Sequence, residues 1–148
     1  MNIEYLYRQV IMEHYKNPKN KGLINDSSYL MVHYNNPSCG DEINIQLKIE
    51  DNEIKDIRHE GVGCSICCSS ASVMTETLKN KKPDEALSII NEFYELIKGY
   101  PYNKEILQGD AVIYEGVSKF PARIKCATLA WQAAENGIKK LMEDEHEW

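Results

Sequence analysis

Three cysteines and an aspartate carry the chemistry that the rest of this chain must position. Cys39 and Asp41 stand two residues apart in Asn36-Pro37-Ser38-Cys39-Gly40-Asp41. Pro37 biases Asn36 toward an extended conformation and Gly40 permits a positive φ, so the stretch is expected to be a sharp turn. Where the backbone around Gly40 is extended, residues i and i+2 share a side, which lets the Cys39 sulfur and an Asp41 oxygen reach one metal ion. Thiolate with carboxylate suits zinc better than calcium or magnesium, because sulfur is a softer donor than those cations accept. Ligand type does not separate zinc from iron.

Cys64 and Cys126 each fall at an expected loop-to-helix junction and complete a candidate four-ligand set of Cys39, Asp41, Cys64 and Cys126. The cysteines are separated by 25 and 62 residues, unlike the short knuckles of zinc fingers. Spacing alone leaves a rival open: Cys64-Ser65-Ile66-Cys67 has the form of half a zinc site or a thiol redox pair. Cys67 and Cys68, three and four positions after Cys64, could approach the metal or pack behind it, and packing is the expectation for both. Arg123, one helical turn before Cys126, could pair with Asp41 or stabilise a sulfur anion.

The elements that position these residues follow from periodicity. Ile3, Leu6, Tyr7, Val10 and Ile11 have helical spacing up to about Tyr15, and Asn17-Pro18 ends that helix. A polar connector, Lys19 to Gly22, precedes a strand over Tyr29–Tyr34 that leads into the Cys39 turn. Ile43, Ile45, Leu47 and Ile49 alternate with polar residues as a half-buried strand does. Asp51-Asn52 is a plausible hairpin turn without the usual glycine, and Ile54 and Ile57 fall on opposite faces of an ideal return strand, which requires an edge position or a bulge. His59 within it is expected to be a surface or packed residue rather than a ligand.

Gly61-Val62-Gly63 ends this strand, and a helix is expected to begin near Cys64 or Ser65, where the dipole would stabilise a thiolate. A helix from Pro83 to Lys98 carries the apolar stripe Leu87, Ile90, Tyr94 and Ile97, and Gly99 stops it. Residues 103–118 show no clear period. A last helix from about Arg123 holds Ile124, Ala127, Trp131, Ala134, Ile138 and Leu141, with Cys126 in its first turn and Gly137 costing about 1 kcal/mol against alanine. A sheet followed by helices gives an α+β class.

The 148 residues, 43% of them hydrophobic, suit one domain spanning 1–148 with a core that needs no staples. A formal charge of -6 argues against a nucleic-acid groove or an anionic membrane as the main partner. The basic run Lys79–Lys82 is expected to be a solvated helix end, and Glu143 to Trp148 a frayed tail. No apolar run resembles a signal peptide or membrane span, so a cytoplasmic protein is expected. An odd count of five cysteines in that setting points to metal binding, catalysis or burial rather than disulfides.

Four ordered blocks covering almost the whole chain carry a family resemblance. They are Leu6 to Met12 with His14-Tyr15-Lys16-Asn17-Pro18, Asn36 to Asp41, Gly61 to Ile66, and Gly116 to Leu129. The sequence resembles the SufU-type proteins of the NifU/IscU-like family, which serve iron-sulfur cluster biogenesis. The long stretch between Cys64 and Cys126 favours the SufU branch. So does Lys119-Phe120-Pro121-Ala122-Arg123, which stands where IscU scaffolds have a proline-rich, histidine-containing approach.

The resemblance implies a three-stranded antiparallel sheet packed by helices, with a zinc ion on the residues matching Cys39, Asp41, Cys64 and Cys126. It implies a sulfurtransferase that accepts persulfide sulfur at Cys39 from a SufS-type, PLP-dependent cysteine desulfurase, whose histidine is expected to replace Cys39 on the zinc. Downstream iron-sulfur assembly proteins would receive the sulfur, with no role for nucleic acid or membrane. The alternative it leaves is a scaffold binding iron or a nascent iron-sulfur cluster on Cys39, Cys64 and Cys126. A zinc module that only holds the fold, or a Cys64/Cys67 redox couple, are further readings.

Overall fold

The computed structural model describes residues 3–38 and 40–145. Met1, Asn2, Cys39 and the end of the expected tail, His146 to Trp148, lie outside the described residues, as do the side chains of Ile3, Glu4, Leu6 and Glu145. The chain runs α1 (Ile3–Lys16), β1 (Leu30–Asn36), β2 (Asp41–Glu50), β3 (Glu53–Val62), α2 (Ser65–Leu78), α3 (Pro83–Ile97), a 3-10 segment (Gly109–Lys119) and α4 (Pro121–Glu145). The strands form one antiparallel sheet in the order β1-β2-β3. Among the described residues no helix is long and apolar enough to cross a membrane.

The period of two in β2 sends Ile43, Ile45 and Leu47 into the core, each at most 1% exposed. Asp51 and Asn52 both adopt positive φ, 54° and 57°, and close the β2–β3 hairpin without glycine, because short Asx side chains tolerate the left-handed region. The irregularity expected between Ile54 and Ile57 is a bulge. Lys48 faces Asp56 while Ile49 faces Ile54, so Lys55 is the extra residue and both isoleucines are fully buried. β3 is also an edge strand, but its outer edge is covered. His59 N–H donates to Asn20 O, Gly22 N–H to His59 O, and Ile54 exchanges bonds with Asn80 and Lys81.

Helix α2 lies against the sheet beside α4, and its small residues Cys67 to Val73 allow neighbours to approach on several sides. Its serines tie those neighbours down. Ser69 Oγ and Tyr114 OH are 2.6 Å apart, joining the 3-10 segment. Ser70 Oγ donates to Ala127 O at 2.6 Å and accepts from Trp131 Nε1 at 2.9 Å, joining α4. Trp131 stacks on Phe93 of α3 with ring centroids 3.9 Å apart. The buried stripe of α3 is Ala86, Ile89, Ile90, Phe93, Leu96 and Ile97. Leu87 and Tyr94, expected at its centre, flank it half-buried, since the indole of Trp131 draws Phe93 inward.

Gly137 lets α4 lie against the sheet. A Cβ there would sit 2.7 Å from Leu47 Cδ2 and 3.3 Å from Val32 Cγ2. Leu47 is fully buried and has little room to yield. Gly137→Ala should therefore lower stability by about 1–2 kcal/mol in urea unfolding, rather than raise it by the roughly 1 kcal/mol that helix propensity alone would give.

Candidate metal centre

β2 begins at Asp41, in phase with Ile43, Ile45 and Leu47, so the alternation that buries those side chains also turns the Asp41 carboxylate toward the helices; it is 1% exposed. Asp41 faces Asn36 across the hairpin, and the connection between them is held by Gly40 N–H on Asn36 O at 2.9 Å and Ser38 N–H on Asn36 Oδ1 at 3.2 Å. Gly40 has the expected positive φ, +74°. Cys39 belongs to this connection.

Gly63 leads β3 into Cys64, the N-cap of α2. The Cys64 side chain makes no capping bond. Its backbone N–H instead donates to Asp41 Oδ1 at 3.0 Å, giving a buried carboxylate a donor that its burial demands. A Cβ on Gly63 would overlap Asp41 Oδ1, so the carboxylate reaches this position because residue 63 has no side chain.

Cys126 arrives on α4. That helix starts at Pro121, whose fixed φ suits the first helical position, so Cys126 stands in the second turn rather than the first. Phe120 N–H closes the 3-10 segment on Val117 O, and Arg123 N–H bonds Phe120 O. An oxygen of Asp41, Cys64 Sγ and Cys126 Sγ lie within 4.8 Å of one another, with Cys126 1% exposed and Cys64 half-buried. Ligands on one tetrahedral zinc are about 3.5–3.8 Å apart, so two thiols and a carboxylate gathered this closely fit such an ion.

Arg123 reaches the sulfurs. Its guanidinium is held further above its ordinary value chiefly by a hydrogen bond to Cys126 and by the charge of Cys64. Tyr7 was not singled out from the sequence as a site residue, yet α1 brings it here. Burial raises its hydroxyl pKa, Arg123 opposes that, and Cys64 adds to it. Only tertiary packing of α1 reveals this placement. Cys68 also borders the centre: its Sγ lies 3.7 Å from Gly63 O, and burial, then Cys64 and Asp41, push its thiol up. Cys67 is 1% exposed and belongs to the apolar core. His59 is packed, with its Nε2 on Lys19 O at 2.9 Å, and burial lowers its pKa.

The fold and this sulfur-carboxylate cluster define a small α+β protein that gathers two thiols and a carboxylate between a strand hairpin and two helices. The NifU-like N terminal domain model matches residues 6–146, and the chain belongs to that family. It is 50% identical over 139 residues to the zinc-dependent sulfurtransferase SufU of Bacillus subtilis, covering 94% of this chain and 93% of that protein. It is 38% identical over 146 residues to the iron-sulfur cluster assembly scaffold protein IscU of Streptococcus pyogenes, covering 97% and 89%. A crystal structure of a protein described as the assembly scaffold for the SUF system of Fervidobacterium islandicum superposes with a TM-score of 0.80 at 27% identity, covering 91% of this chain and 98% of that one.

Two substitutions check the geometry. Gly63→Ala should leave the fold intact and lower metal affinity at least about tenfold in competition with a chromophoric chelator, because the new methyl displaces the carboxylate of a candidate ligand. Cys67→Ser should keep one metal per chain in elemental analysis, whereas Cys64→Ser should lose it. Loss in Cys67→Ser with retention in Cys64→Ser would reverse the assignment.

Proposed function

We propose that this chain is an iron-sulfur cluster assembly protein acting as a zinc-dependent sulfurtransferase, in which Cys39 accepts persulfide sulfur from a SufS-type, PLP-dependent cysteine desulfurase. The observation that carries this reading is the convergence of Asp41, Cys64 and Cys126 beside the hairpin connection that contains Cys39. Similarity to SufU along nearly the whole of both chains supports the choice of reaction.

Cys39, Asp41, Cys64 and Cys126 would hold the zinc, which when bound keeps the ligating thiols deprotonated at neutral pH and mutes their nucleophilicity. The Cys39 thiolate attacks the outer sulfur of the donor persulfide. A Cys39 Sγ–S bond forms, the donor S–S bond breaks, and the donor cysteine leaves as a thiolate. Asp41 is fixed in place by the Cys64 amide, so the centre keeps its shape while Cys39 reacts. Arg123 is a positioning residue whose positive charge faces the sulfurs and offsets the negative charge of the transferred persulfide.

Val62 and Phe120, exposed at 63% and 57%, stand just before the segments that deliver Cys64 and Arg123, and they offer apolar contacts to the docking desulfurase. Reactive thiols of this kind suit the reducing cytoplasm. A second reading, cluster assembly on Cys39, Cys64 and Cys126, draws on the similarity to IscU scaffolds.

Mass spectrometry after brief reaction of the zinc-loaded protein with desulfurase and cysteine separates the two. Sulfurtransfer predicts one added sulfur on the Cys39 peptide with zinc retained. No sulfur there, with iron and sulfide bound once iron is supplied, would establish the scaffold instead. Arg123→Ala should slow transfer to Cys39 about tenfold, roughly 1.4 kcal/mol in the barrier, without loss of zinc.

A further inference from the structure

The block His14 to Pro18 contributes no ligand to the sulfur centre, yet His14 is buried, 4% exposed, inside an ordered network. Lys19 N–H donates to Ser72 Oγ at 2.7 Å. Ser72 Oγ lies 2.8 Å from His14 Nδ1, and His14 Nε2 lies 2.8 Å from Asp110 Oδ2. Glu76, one helical turn after Ser72 on the same face of α2, brings its carboxylate to the same place. One atom each from His14, Glu76 and Asp110 lie within 4.8 Å of one another. Three separate elements, α1, α2 and the 3-10 segment, thus direct one imidazole and two carboxylates to one point.

We propose that His14, Glu76 and Asp110 form a second, exchangeable divalent-cation site that takes ions preferring nitrogen and oxygen donors, Fe(II) or Mn(II), and that it is distinct from the sulfur centre. Adjacent ligands on an octahedral ion at about 2.1 Å are about 3.0 Å apart, close to the His14–Asp110 separation of 2.8 Å. In the ion-free protein the proton between His14 Nε2 and Asp110 Oδ2 holds the two together; an ion would replace that proton, and Ser72 Oγ would then accept from Nδ1–H and orient the ring as an outer partner does for metal-bound histidines. The donor set has no thiolate to give it the sulfur centre's hold on zinc.

The surroundings favour a cation. A cavity of about 700 Å³ beside the site is lined by Glu76, Glu85, Glu105 and Asp110 against Lys81. Another, of about 440 Å³, is lined by His14 and also by Gly63 and Cys68, the neighbours of the sulfur centre. The two carboxylates thus open onto the first of these cavities, and the imidazole borders the second.

The probe is Mn2+, added to full-length protein whose sulfur centre is already zinc-loaded, with bound manganese followed by loss of the free-ion EPR signal and displaced by Fe2+ under anaerobic conditions. One Mn2+ per chain beyond the zinc is expected. Glu76→Gln and Asp110→Asn should each weaken it at least tenfold with zinc content unchanged, and Glu76→Gln should also leave the melting temperature unchanged. His14 is buried and its replacement could unfold the chain, so the exposed Glu76 carries the test. No Mn2+ binding below millimolar concentration, or wild-type affinity in Glu76→Gln, would overturn the proposal. Zinc content and sulfur transfer to Cys39 are measured separately, so failure here leaves the sulfurtransferase reading standing.

Discussion

The structure depends on helix α2 being buried along most of its length while carrying polar side chains. Ser69, Ser70, Ser72 and Thr75 are each fully buried, and a buried hydroxyl without a partner costs about 1–3 kcal/mol. Each therefore reaches a neighbouring element: the 3-10 segment through Tyr114 for Ser69, α4 for Ser70, α1 through His14 and the connector through Lys19 for Ser72, and the connector through Lys19 and Asn20 for Thr75. These bonds work only if the surrounding elements sit at fixed offsets along α2. The helix is thereby a ruler from which the rest of the molecule takes its position.

That ruler sets the chemistry at its N-terminal end. Cys64 caps α2, so its sulfur is placed wherever the serines place the helix. Ser70 fixes α4 through the carbonyl of Ala127, the residue after Cys126, so the two thiols are registered through one hydroxyl. Asp41 comes from the sheet, and its carboxylate is locked to the same helix end through the Cys64 amide. Three candidate ligands on three elements meet because each is tied to α2 within one or two residues. Preorganisation of this kind fixes the donor atoms before an ion binds.

Much of this was legible in the sequence where a single period or a backbone constraint decided the outcome. The alternation of β2 marked the sheet, Pro18 and Gly99 marked helix ends, and the mismatch between Ile54 and Ile57 announced the bulge. Asp41, Cys64 and Cys126 were singled out by residue type and by their matching blocks, and they do come together. Other features leave no local signature. The choice between Cys64 and Cys67 depends on the direction of α2 relative to α4, and small residues blur any stripe on a helix packed on several sides. The 3-10 segment has no period of its own, and Gly137 looks like a defect until Leu47 is placed against it. Tyr7 reaches the sulfur cluster, and His14 reaches Asp110, only when α1 folds back onto α2.

The proposed zinc site joins Asp41, Cys64 and Cys126 to the hairpin cysteine, and X-ray absorption at the zinc edge of the isolated full-length protein reads its ligands. A four-coordinate ion is expected, with three sulfurs at about 2.3 Å and one oxygen at about 2.0–2.2 Å, the oxygen shell being lost in Asp41→Ala. A shell of four sulfurs, which would bring in Cys67 or Cys68 in place of Asp41, or one with no sulfur at all, would contradict it.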